Sequence, residues 1–81
     1  MTRQEAERIV AAVRQAPEMK EIVEVIDANV ACCVETLGDY NDYEENIRDT
    51  LGNKITDSNY CDYGMYLTAS WILAGAAMVG N

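Results

Sequence analysis

The alternation of apolar and polar positions along the chain predicts four helices and no strands. The last of them organises the rest. Residues 65–79, MYLTASWILAGAAMV, carry no charge, and polar stretches flank them on both sides. Read as a helix over about 58–79, this segment is apolar nearly all the way round. Such a helix must be covered on several sides. Tyr60, Tyr63, Leu67, Trp71, Ala74 and Met78 form one stripe along it. Met65, Ala69, Ile72, Ala76 and Val79 form a second. Asp57 or Ser58 is expected to cap it.

The three earlier segments each show one apolar stripe. Helix one is predicted over about 3–15. Thr2 and Glu5 make a T-x-x-E capping box, and Ala6, Ile9, Val13 and Ala16 follow the 3–4–3 spacing of a buried face. Pro17 breaks the axis and opens helix two, over about 17–37, because proline suits a first helical position. Met19, Val23, Ile26, Val30, Cys33 and Leu37 recur at 4–3–4–3–4, a seam widened by Ile22 and Val34. Gly38 is expected to close it in the left-handed conformation. Helix three is predicted over about 40–51, capped by Asp39 and stopped by Gly52, with Tyr40, Tyr43, Ile47 and Leu51 inward. Ile55 is expected to tuck back from the loop that follows.

These patterns predict one domain spanning 1–81, an all-α, compact four-helix bundle. A chain of 81 residues buries only about 60–65% of the surface its unfolded form exposes. Three amphipathic helices, one of them short, cover an all-round apolar fourth incompletely. A second copy would complete the cover, so a homodimer centred on Met65, Ala69, Ile72, Ala76 and Val79 is expected. The alternative is a monomer with helix four fully wrapped.

Charge changes the picture next. Fourteen acids face six bases and no histidine, a net −8. Residues 1–20 hold four bases and three acids, and the remainder holds eleven acids and two bases. A field of that sign repels phosphate backbones and anionic lipid surfaces, so neither direct nucleic-acid binding nor membrane binding is expected. It attracts basic protein surfaces. The fifteen-residue apolar run is shorter than the roughly 20 residues a membrane span needs. The charged opening and three cysteines, two of them adjacent, are read as reduced thiols in a cytoplasmic protein.

Candidate chemistry is sparse. Zinc needs four Cys or His ligands at set spacing, and three Cys without His do not supply them. An EF-hand loop begun at Asp39 or Asp57 would end on Thr50 or Thr68, neither of which is the bidentate Glu required. Without histidine no Ser–His or Cys–His pair can form. No phosphate-binding or dinucleotide fingerprint is present. The chain is therefore read as non-catalytic, with no cofactor and no metal.

The most informative stretch is Asp39–Tyr66. It holds all five tyrosines and seven of the acids. Asp42, Glu45 and Asp49 recur at 3 and 4 on one helical face, with Glu44 beside them. Neighbours at this spacing lie about 5–6 Å apart between Cβ atoms. That is close to the spacing of phosphates along a nucleic-acid strand, and it suits a row of Arg or Lys on a partner. Asp62 and Tyr66 are added as flanking contacts, Tyr66 because it falls between the two helix-four stripes. Tyrosine is a favoured interface anchor.

The expected function is thus a small acidic binding module, an inhibitor that occupies a basic surface of a partner protein, including a surface that otherwise receives nucleic acid. In size, acidity and absence of histidine the chain resembles phage-borne inhibitors of host or bacterial-defence machinery, anti-CRISPR proteins among them. That resemblance implies action in the cytoplasm of the host cell and assigns no residue roles. Three other readings compete. The acids can be a solvated face with the tyrosines plugging the bundle's end. Tyrosines, Trp71 and a base from helix one can line a pocket for a nucleotide or an aromatic ligand. The apolar last helix can dock on a larger assembly.

Overall fold

The computed structural model describes the backbone of residues 1–78 and the side chains of residues 1–75. Within them lie four α-helices: α1 (Arg3–Arg14), α2 (Lys20–Thr36), α3 (Tyr40–Leu51) and α4 (Tyr60–Met78). No strand occurs among the described residues. The all-α bundle expected from the periodicity is what the chain forms.

Local chemistry sets most of the boundaries. The Thr2 hydroxyl accepts from the Glu5 N–H at 3.1 Å, and the Glu5 carboxylate accepts from the Thr2 N–H at 3.1 Å. The capping box is therefore complete. Those bonds hold the Glu5 carboxyl below its ordinary range. Ala16 is extended, as a residue before proline must be. Pro17–Met19 then form one 3-10 turn before α2 begins at Lys20, so helix two is a turn shorter at its start than the sequence pattern suggests. Gly38 takes φ +67° after α2, and the Leu37 and Gly38 N–H groups both donate to the Cys33 carbonyl. The Asp39 side chain accepts from the N–H groups of Asn41 and Asp42, capping α3.

The start of α4 differs from expectation. Neither Asp57 nor Ser58 caps it. Asn59 precedes the helix, and its carbonyl accepts from the Tyr63 N–H at 2.8 Å. Its side chain turns backward, accepting from the Thr56 N–H at 2.8 Å and donating to the Lys54 carbonyl at 2.9 Å. Asn59 thereby spends its side chain on folding the loop. Lys54 pairs with Glu21 of α2, which holds the same loop against the bundle.

α4 packs mainly on α1 and then on α2, while α3 packs on α2. Ala6 of α1 and Ala69 of α4 are both fully buried. The most deeply buried large side chains are Tyr43, Tyr66, Met19, Ile26, Ile47 and Leu67. The core is mostly aliphatic, as the composition implies, but its three largest members are Tyr43, Tyr63 and Tyr66.

The inner stripe of α4 is Tyr63, Tyr66, Leu67 and Ser70, joined by Ala69. It lies between the two stripes drawn from apolarity alone. The reason is hydrogen bonding. Buried polar tips cost several kcal/mol unless partnered, and partners are supplied for Tyr43, Tyr66 and Ser70, while the buried Tyr63 hydroxyl has none among the described residues. The Tyr43 hydroxyl lies 2.7 Å from Ser70 Oγ, which donates to the Leu67 carbonyl at 2.9 Å. Tyr43 also stacks on Trp71, with centroids 4.8 Å apart, and Tyr40 meets the edge of Trp71 while bonding Thr68 Oγ1 at 2.9 Å. Aromatic side chains thus carry α3 to α4.

Leu37 corrects the helix-two seam. α2 ends at Thr36, so the seam's last position is lost and Leu37 is exposed. Among the described residues no helix is long and apolar enough to cross a membrane.

Candidate acidic face and interhelical cleft

Among the described residues, concavity and charge coincide beside Gln4, Glu7 and Arg8 of α1 and at two further places that hold residues expected to function. The first of these two lies on α3. Asp42, Glu45 and Asp49 are exposed and, with Asn46 and Leu37, line a shallow groove of about 270 Å³. The helix supplies the geometry. Burial of Tyr43, Ile47 and Leu51 fixes its rotation, so the 3–4 spaced acids point outward. Leu37 joins them because Gly38 reverses the chain between α2 and α3. The groove therefore presents one apolar lip beside three carboxylates.

Four of the chain's six bases are engaged elsewhere. Arg3 pairs with Glu7, Arg14 with Asp27, Arg48 with Glu44 and Lys54 with Glu21. Among the described residues no cation lies within 4 Å of Asp42, Glu45 or Asp49. Glu44 differs from its neighbours. It is half-buried and bound to Arg48 at 2.8 Å, which holds the guanidinium pKa above its ordinary value. Glu44 is thus partly satisfied within its own helix. Asp62 sits half-buried in the first turn of α4, outside the groove, where a carboxylate suits the helix dipole.

Tyr66 is a correction. Expected at the surface as a partner contact, it is fully buried. Its hydroxyl donates to Asp27 Oδ1 at 2.6 Å and accepts from Arg14 Nε at 3.1 Å. Arg14 Nη2 reaches Asp27 Oδ2 at 3.1 Å. Tyrosine fits between the apolar stripes because its ring is buried while its hydroxyl meets a charged pair. The opposite holds for Tyr60, which shares the apolar stripe yet is exposed.

The residues expected at a dimer seam divide similarly. Ala69 is buried within its own protomer, so it is not open to a second copy. Met65 is exposed and Ile72 is half-buried. The Ala76 side chain and Val79 lie outside the described residues.

The second concave place is a cleft of about 280 Å³ between α1, α2 and α4. Val10, Val30, Leu73 and Ala74 form its apolar wall, Arg14, Asp27 and Tyr66 form its polar end, and Ser70, whose hydroxyl already bonds Tyr43 and the Leu67 carbonyl, also lines it. The sequence pattern anticipates a base from helix one in such a pocket but not Asp27, thirteen residues further on. Trp71, also expected there, is instead stacked against Tyr43.

No group of three or more metal-ligating side chains occurs among the described residues. Tyr63 has the one buried side-chain polar atom without a partner among them. No family model matches the chain, no curated protein matches it, and no solved structure matches it.

Proposed function

We propose that this chain is a non-catalytic protein-binding module that engages a basic surface of another protein through α3. The observation that carries the reading is the groove at Leu37, where Asp42, Glu45 and Asp49 stand exposed with no cation within 4 Å among the described residues, while three of the chain's four arginines pair elsewhere. Carboxylates held in a row by a helix offer a preorganised set of acceptors for Arg and Lys. Leu37 adds a small apolar anchor among them. Glu44, already paired, contributes charge rather than a free acceptor. Occupying a basic surface excludes whatever else that surface binds, nucleic acid included, and an inhibitor follows from that competition.

The test is reversal of charge. The triple variant Asp42→Lys, Glu45→Lys, Asp49→Lys is compared with the parent chain, first by circular dichroism and then as bait in lysate with elution along a salt gradient. All three positions are exposed, so the helical signal should be largely retained, less the small cost of a cation in the first turn of α3 at position 42. The partner retained by the parent should bind the variant at least about tenfold more weakly. It should also leave the parent at moderate salt, as screened charges require. Equal retention by parent and variant would sink the acidic-face reading.

A further inference from the structure

We infer that the cleft between α1, α2 and α4 binds a small zwitterion with an aliphatic side chain, the chemistry of a free apolar α-amino acid. The cleft shares no residue with the α3 groove.

The polar end of the cleft has hydrogen-bonding capacity left over. A guanidinium carries five N–H donors. Arg14 spends one on the Tyr66 hydroxyl and one on Asp27. An ionised carboxylate has about four acceptor positions. Asp27 spends one oxygen on Tyr66 and the other on Arg14, one bond each. The Tyr66 hydroxyl both donates and accepts, and it is fully buried. Unused donors and unused acceptors therefore remain side by side, on a pair whose side chains are still 54% and 37% exposed.

A ligand that satisfies both must carry a carboxylate and an ammonium as close together as the protein's own pair. An α-amino acid head group does so, with its charges in the reverse order. Its carboxylate accepts from Arg14 and its ammonium donates to Asp27. The rest of the cleft wants an apolar group. Val30, Leu73 and Ala74 stay partly open to water beside the buried Val10, and covering such surface is favourable. The volume of about 280 Å³ is at the lower end for ligand sites, which suits a molecule of a few heavy atoms.

Net charge separates this ligand from its relatives. The chain carries −8. An aliphatic carboxylate would be repelled by that field and would leave Asp27 without a donor. An aliphatic amine would be attracted over the whole surface and would leave Arg14 unused. A zwitterion is neutral overall and addresses both groups.

The experiment is a nuclear magnetic resonance titration of the labelled full chain with L-leucine, 4-methylpentanoate and isopentylamine. L-leucine should give saturable shifts in the millimolar range, centred on Val10, Asp27, Val30 and Leu73. The two half-ligands should bind at least about tenfold more weakly there. Asp27→Asn should weaken L-leucine by a similar factor while favouring 4-methylpentanoate. Should that variant unfold, Leu73→Trp, which fills the cleft without touching the ion pair, should abolish the shifts instead. Absence of saturable shifts with L-leucine would overturn the assignment. So would equal binding of either half-ligand, shifts located elsewhere, or binding that survives Leu73→Trp.

Discussion

The Tyr66 hydroxyl donates to Asp27 Oδ1 at 2.6 Å, tying α4 to α2. Because it also accepts from Arg14, one buried oxygen joins three helices. Hydrogen bonds to charged groups are worth about 1.5–3 kcal/mol each way they are measured. Tyr66→Phe keeps the ring in the core and removes only this oxygen. It should destabilise the fold by about 1.5–3 kcal/mol in urea denaturation. A loss below about 0.5 kcal/mol, within the range of ordinary surface substitutions, would mean the triad is held together by Arg14 and Asp27 alone.

Alkaline pH tests the same hydroxyl. Burial, and then donation to Asp27, pushes Tyr66 up to about 12 from an ordinary 10.0. Burial raises Tyr43 and Tyr63 as well. A phenol whose folded pKa lies above its unfolded one keeps its proton in the folded state after the unfolded state has lost it. Its contribution is complete below pH 10 and is lost as pH climbs to about 12. Unfolding free energy measured at pH 9, 10 and 11 should therefore fall across the last interval. Tyr66→Phe should fall less steeply than the parent. Parallel curves would show that Tyr66 ionises equally in both states.

Two glycines should respond unequally to alanine. Gly38 has φ +67° and Gly52 has φ +53° with ψ −121°. Neither has an atom within 4 Å of where a Cβ would stand, so the cost is conformational. The first is near the left-handed helical region, where an L-residue loses about 1–2 kcal/mol. The second matches the first central position of a type II′ turn, which glycine dominates. Gly52→Ala should therefore destabilise more than Gly38→Ala in thermal unfolding. The reverse order would mean the α3–α4 connection relaxes.

The exposed part of α4 bears on assembly. Trp71, Ile72, Leu73, Ala74 and Gly75 are all half-buried, and Met65 is exposed. The homodimer expected from helix four remains a proposal, now centred on Met65 and Ile72 because Ala69 is enclosed. Light scattering should give about twice the 9.0 kDa chain mass. Ile72→Glu should return it to the single-chain value with helicity retained. A parent chain that scatters as one copy would remove the dimer.

The Thr2–Glu5 capping box, the Asp39 cap, the left-handed Gly38 and the inward face of Tyr43, Ile47 and Leu51 were all legible in the sequence. Each depends on residues within a turn or two of one another, where spacing and geometry are nearly the same thing. The rotation of α4 was not legible. A segment apolar on every side carries no periodic signal to choose a face. Here the choice fell to Ser70 bonding Tyr43 and to Tyr66 bonding Asp27, across separations of 27 and 39 residues.

The same division runs through the candidate sites. Local spacing by itself determined that Asp42, Glu45 and Asp49 share one outward face, because a helix whose other side is buried has no freedom left. Only the tertiary structure decided that Leu37 stands beside them and Tyr66 does not, and that Arg14 and Asp27 meet over a cleft. Those facts depend on where helices end and how they cross, which is settled by packing between distant parts of the chain.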